Sequence, residues 1–207
     1  MNKFGKYIGY GVLIVVVFIL SVDVKNLDEV RAAEANESEF DATQYAQNFW
    51  ENQLAGSLEN AVNLSDLIEQ LENNFEQTAE TGQIIGISDS RYFLVRESGT
   101  ITDVSEGQVI VELESSDTII LTSGYVFGNT VRNALPEIEI GEFVNMTQFN
   151  RVSIEMNAIV ENQVVSQLKE EAEVGRELDF TGALSINVVD QNLDFYPIVP
   201  LRVDFAD

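Results

Sequence analysis

The run Gly128-Asn129-Thr130-Val131-Arg132-Asn133 is where residue types and spacing point most directly to chemistry. Asn129, Thr130, Arg132 and Asn133 form a donor-rich set beside a glycine whose missing side chain permits close backbone approach to a ligand. Sugar hydroxyls are met by groups of this kind together with an aromatic plane, which Tyr125 or Phe127 would supply. The structural alternative is a turn braced by Arg132 pairing with a carboxylate. Asn145 and Gln148, with Arg151, form a second polar set. They would line the same cleft or satisfy backbone groups at a strand-to-helix junction, as side chains of these types do. Gly128, Asn129, Arg132, Asn133, Asn145 and Gln148 are therefore the candidate ligand-binding residues.

Absent residue types narrow the chemistry further. The chain has no cysteine and no histidine, which removes thiol nucleophiles, Cys/His zinc sites and Ser-His or Cys-His catalysis. It carries no EF-hand loop, no P-loop and no G-x-S-x-G, and Gly82-Gln-Ile-Ile-Gly86 departs from a dinucleotide fingerprint. No metal, cofactor or catalytic residue is nominated, and the chain reads as a non-enzyme. With 35 acidic residues, a carboxylate-pair glycoside hydrolase is the alternative. No pair stands out, since Glu112 and Glu114 share a strand face on which acids ordinarily meet solvent. The acids outnumber 11 basic residues, giving a net charge of −24. Such a surface repels nucleic acid and anionic headgroups. It confers solubility, or draws a divalent cation or a basic partner.

These residues must be delivered and positioned. Tyr7 to Val22 is an uncharged apolar run with Lys3 and Lys6 ahead of it. As a helix it would span roughly 24 Å, which suits a short signal-anchor or the core of a signal peptide. No small-residue cleavage site follows directly, because Ala32, Ala33 and Ala35 come too late. The reading is an uncleaved anchor in the inner membrane, with the domain facing the periplasm or cell exterior. Residues 1–25 are the anchor segment, 26–39 a polar stalk, and 40–207 one extracytoplasmic domain.

Asp41 with Gln44 predicts a capped helix carrying Tyr45, Phe49, Trp50 and Leu54 on one face. Gly56 should end or kink it, and Trp50 reads as core. A second helical region runs from Leu58 to Phe75, capped internally at Ser65. Strands follow at Tyr92–Val95, Thr100–Val104, Gln108–Glu114 and Thr118–Leu121, with turns at Ser105-Glu106-Gly107 and Ser115-Ser116-Asp117. A strand-like piece at Glu142–Phe149 precedes a long helix capped by Asn150 and closed by Gly175. Two strands, Leu178–Asn187 and Phe195–Phe205, end the chain, the last beginning at a sheet edge because of Pro197 and Pro200. Helices and strands fall in blocks, so the class is α+β. The architecture expected is an antiparallel, partly closed OB-like β-barrel with helical segments before it and one long inserted helix.

The order of FDATQYAQNFWENQL, GNTVRNALPEI and EFVNMTQFNRVSIEMN resembles a family of predicted periplasmic lipoproteins known only as a domain of unknown function. The resemblance covers nearly the whole chain. Its most specific pieces are Gly128 with Arg132 to Pro136, and Phe143 with Asn145, Gln148 and Phe149. Members are often encoded beside sugar ABC-transporter genes, so the resemblance implies an extracytoplasmic accessory to carbohydrate uptake, with transporter components or a small carbohydrate as partner. It also implies a lipidated cysteine near the start, which this chain lacks. Here the apolar segment would have to hold the domain at the membrane. The remaining alternative is a structural envelope protein.

Overall fold

The chain divides at Phe40, and Asp41–Asp207 forms a compact unit of its own. The computed structural model describes residues 40–189 and 197–206. The anchor expected at Tyr7–Val22 and the stalk at 26–39 lie outside the described residues. Among the described residues, no helix is long and apolar enough to cross a membrane.

Helix α1 (Ala42–Asn52) starts at Asp41, whose carboxylate accepts the Gln44 N–H at 2.9 Å, as the spacing predicts. It ends before Gly56, which lies inside the next short helix, α2 (Leu54–Glu59). A two-residue strand, β1 (Val62–Asn63), then separates α2 from α3 (Leu64–Asn73). The cap of α3 is Asn63 and not Ser65: Asn63 Oδ1 accepts the Asp66 N–H at 2.9 Å, two residues nearer the chain start than expected. Helix α4 (Phe75–Ala79) completes the helical block.

Strand β2 (Ser90–Ser105) joins two expected strands into one. Its first part pairs antiparallel with β5 (Glu177–Asn187) and its end pairs with β3 (Gln108–Leu113). Gly99 belongs to both pairings, opposite Leu178 on one side and Leu113 on the other. A Cβ there would sit 2.5 Å from Val111 Cγ1 and 2.7 Å from the Glu112 carbonyl oxygen, so only glycine lets the strands meet this closely. Strand β3 leads through a four-residue turn that includes Ser116 into β4 (Thr118–Thr122), which pairs with β3 and with β6 (Pro197–Phe205), and β6 pairs with β5. The circuit β2-β3-β4-β6-β5 returns to β2, so the sheet closes on itself as a ring. One of its links, β4 with β6, is parallel.

Strand β6 therefore lies between two neighbours and not at an edge. Its prolines are accommodated differently from the expectation: Pro197 is the first residue, and Pro200 sits opposite Gly182 at a register shift in the β5 ladder. At both places the missing N–H costs no regular ladder bond. Inside the ring, Val95, Ile101, Val109, Val111, Ile119, Leu121, Leu184 and Ile198 are buried, while Glu112 faces solvent, in line with the alternating pattern of the sequence.

Between β4 and β5 come α5 (Thr130–Asn133), a turn of 3-10 helix (Ile140–Glu142) and a long helix in three parts. These parts are α6 (Met146–Val160), a π-helical segment (Glu161–Val165) and α7 (Ser166–Glu171). The strand expected at Glu142–Phe149 is absent, and the helix begins five residues before the predicted start. Asn145 is the cap: its Oδ1 accepts the Gln148 N–H at 2.9 Å, while Gln148 Oε1 accepts the Val144 N–H at 3.1 Å. This reciprocal pair is a capping box in amide form. The helix stops at Glu171; Gly175 instead occupies the turn into β5 with φ +89°. The π-turn widens the helix so that both Val164 and Val165 stay buried beside Val160 and Leu168.

Helix α1 packs along α6. Trp50 is half-buried, and its indole N–H donates to Gln163 Oε1 in the π-turn at 2.9 Å, so it straps two elements together where a core ring was expected. Tyr45 donates its hydroxyl to Glu142 Oε2 at 2.8 Å. Burial, then this hydrogen bond and the Glu142 charge, push the phenol above its ordinary range. A raised folded-state value means stability that is present below about pH 10 and lost as pH climbs. Tyr45→Phe should cost about 1 kcal/mol at neutral pH, and its stability should fall less steeply than the parent's above about pH 10. Urea titrations across that range would show parallel alkaline limbs if the contact contributed nothing.

Candidate functional site

The loop leaving β4 is pinned from below: the Ser123 N–H donates to the Gly107 carbonyl at 3.0 Å, and a Cβ on Gly124 would lie 3.2 Å from Gly107 Cα. From there the chain alternates. Tyr125 and Phe127 project outward, 78% and 80% exposed, while Val126 between them is buried. The two rings are 6.0 Å apart at 43°. Gly128 then takes φ +76°, a conformation that favours glycine, and turns the chain into α5.

Helix α6 forms the facing wall. Asn150, Ser153, Asn157 and Glu161 recur at spacings of three and four and so share one face. Two of them clasp the loop. Glu161 Oε1 accepts the Val126 N–H at 2.7 Å, and Asn157 Nδ2 donates to the Gly128 carbonyl at 3.0 Å. Between loop and helix lies an open cleft of about 540 Å³. It holds two orphaned groups: Ser153 Oγ and Asn157 Oδ1 are buried and have no hydrogen-bond partner among the described residues. A buried polar atom left unpaired costs on the order of 1–3 kcal/mol, so each marks a place where a missing donor or acceptor fits.

The six candidate residues separate into three groups. Gly128 and Asn129 line the cleft. Arg132 and Asn133 lie behind it, only 2% and 4% exposed. The Arg132 Nε and Nη2 donate to Asn133 Oδ1 at 3.0 and 2.7 Å, and Nη1 donates to the Phe149 carbonyl at 2.7 Å and to Asn150 Oδ1 at 3.3 Å. The guanidinium stacks 3.4 Å from the Phe149 ring centroid. Its partners are thus neutral oxygens and an aromatic face, in place of the carboxylate that a braced turn would take. Burial pushes Arg132 down to about 10, with Tyr92 opposing the shift, so it remains a cation at neutral pH. Through Asn150 it holds one side of the cleft in position. Asn145 and Gln148 do not line the cleft; they cap α6.

Ser153, Asn157 and Glu161 were not singled out from the sequence. Their signal was the polar recurrence along an otherwise apolar helix, which reads equally as a solvated stripe. Elsewhere, Glu112, Glu114, Glu177, Asp179 and Asp204 rim a groove of about 640 Å³ at the ends of β3, β5 and β6. All five are exposed. No group of His, Cys, Asp and Glu suited to a metal ion occurs among the described residues.

The family model described as "Predicted periplasmic lipoprotein (DUF2291)" matches residues 12–204. The chain belongs to this family. Its description places the DUF2291 protein at a membrane with a periplasmic face and assigns no activity. The lipid of a lipoprotein is carried on cysteine, and the 207 residues contain none. A crystal structure described as an OB-fold protein from Thermotoga maritima MSB8 superimposes with a TM-score of 0.71 at 21% identity, covering 81% of this chain and 99% of the other. At that identity the likeness is one of fold, and it accords with the closed ring of strands. No curated protein matches the chain.

Proposed function

We propose that this DUF2291 protein is a non-enzymatic binding module held at the inner membrane by Tyr7–Val22 and serving a sugar uptake system. Its ring of strands acts as a partly closed OB-type barrel that presents the cleft between the Tyr125–Gly128 loop and α6. The ligand is a small polyhydroxylated molecule. One apolar face lies against Tyr125 or Phe127, and hydroxyls reach Ser153 Oγ and Asn157 Oδ1. The observation that carries this reading is the pair of orphaned buried atoms in a cleft that the exposed Phe127 also lines. Phe127 is 80% exposed at the cleft and Tyr125 stands next to it, so neither ring is held there by core packing.

Calorimetric titration of the soluble domain with neutral mono- and disaccharides tests it. Tyr125→Ala combined with Phe127→Ala should weaken binding at least about tenfold, equivalent to roughly 1.4 kcal/mol, while the melting temperature stays put. Unchanged affinity in the double variant would sink the cleft as the site. Turnover of a chromogenic glycoside, lost on substitution of one carboxylate, would favour a hydrolase instead.

A further inference from the structure

The charge and hydrogen-bonding sense of the cleft specify the ligand more narrowly than "polyhydroxylated", granted that the cleft is the binding site. Among the described residues, Glu161 is the one formally charged residue lining it, and no lysine or arginine does so. Arg132, behind the cleft, is turned onto the Phe149 ring, the Phe149 carbonyl and Asn150 Oδ1. Glu161 uses one carboxylate oxygen to hold Val126 and has no partner on the other among the described residues. Val126 lies between Tyr125 and Phe127 in the chain, so this free oxygen sits beside the stem of the exposed aromatic pair. Aromatic faces and a carboxylate together favour a cation, and attraction over a ring face strengthens it further. Along the helix, Glu161, Asn157 and Ser153 follow at steps of four residues, about 6 Å each. Asn157 Oδ1 is an acceptor and Ser153 Oγ can accept, so the row asks its ligand for donors.

We infer that the cleft takes a hydroxylated ligand bearing a protonated amine, an amino sugar or amino polyol. The amine sits on Glu161 beside Tyr125 and Phe127, and hydroxyls extend toward Asn157 and Ser153. The chain's net charge of −24 works in the same direction by raising the local concentration of cations and repelling acidic sugars.

A charge series on one ring tests this: glucosamine, N-acetylglucosamine, glucose and glucuronate, titrated calorimetrically in slightly acidic buffer that keeps the amine protonated. The parent domain should bind glucosamine about tenfold more tightly than glucose or N-acetylglucosamine, with glucuronate weakest, and added salt should compress the range. In Glu161→Gln the amide oxygen still accepts the Val126 N–H, so the loop keeps its clasp, and the four affinities should fall within about threefold. Glucose binding with no preference for glucosamine overturns the amine inference and leaves the binding reading standing. A preference that survives in Glu161→Gln also overturns it. Failure of all four ligands to bind removes both.

Discussion

Truncation of Phe149 to alanine should cost about 3–5 kcal/mol of folding stability, toward the upper end of what a buried phenylalanine loses. The ring is fully buried and stands at the crossing of three elements. On one side Phe143 packs 5.2 Å away, itself in edge contact with Tyr45 of α1 at 5.2 Å. On the other side the Arg132 guanidinium lies 3.4 Å from its centroid. Removing the ring opens a cavity and also strips a buried cation of its stacking surface, so two penalties combine. Urea unfolding should show a lower midpoint with an unchanged slope. A loss under about 1 kcal/mol would mean that the aromatic ladder is not what joins α1, α5 and α6.

Arg132→Ala should cost about 3 kcal/mol in the same measurement. Asn133 Oδ1 would be left buried without its two donors and the Phe149 carbonyl with its helical partner alone, a loss on the order of 1–3 kcal/mol to which the lost stacking on Phe149 adds, partly offset by no longer burying a charge. Arg132→Lys should rescue little, because a point-like ammonium lacks the planar fork that satisfies Asn133 twice while lying flat on a ring. The combined Phe149→Ala, Arg132→Ala variant should lose less than the sum of the two, by at least about 1 kcal/mol. Strict additivity would show that the stacking seen between them contributes nothing. If Arg132 steadies Asn150, ligand affinity should also fall in the lysine variant, which a purely structural strut would not require.

The strands were legible because their pattern is local. Val109, Val111 and Leu113 alternate with Ile110 and Glu112, and the turns at Gly107 and Ser116 carry positive φ where the sequence placed hairpins. Helix starts were less legible because two asparagines competed for one cap. Asn145 wins since Gln148 lies three residues on to complete the box, whereas Asn150 is turned onto Arg132. Pro200 misled because a proline inside a strand implies an edge unless a register shift absorbs it, and that shift depends on β5. The site was half legible. Tyr125, Phe127, Gly128 and Asn129 were visible as a cluster in sequence. Ser153, Asn157 and Glu161 become a wall only when a loop from β4 is folded across them, which no local pattern announces. Arg132, chosen for its donors, spends them on Asn133 Oδ1, Asn150 Oδ1 and the Phe149 carbonyl, and a sequence cannot show which way a side chain turns.

The π-turn at Glu161–Val165 carries one residue more than an ordinary helix of that length needs. Deleting a single residue anywhere else between Met146 and Glu171 would rotate everything downstream by about 100° and scramble the buried face. Deleting Asn162 should instead relax the turn into regular α-helix with α7 still in phase. Length variation in this stretch is therefore tolerated at one place, beside the carboxylate that clasps the loop, so the reach of that carboxylate could be altered without remaking the scaffold.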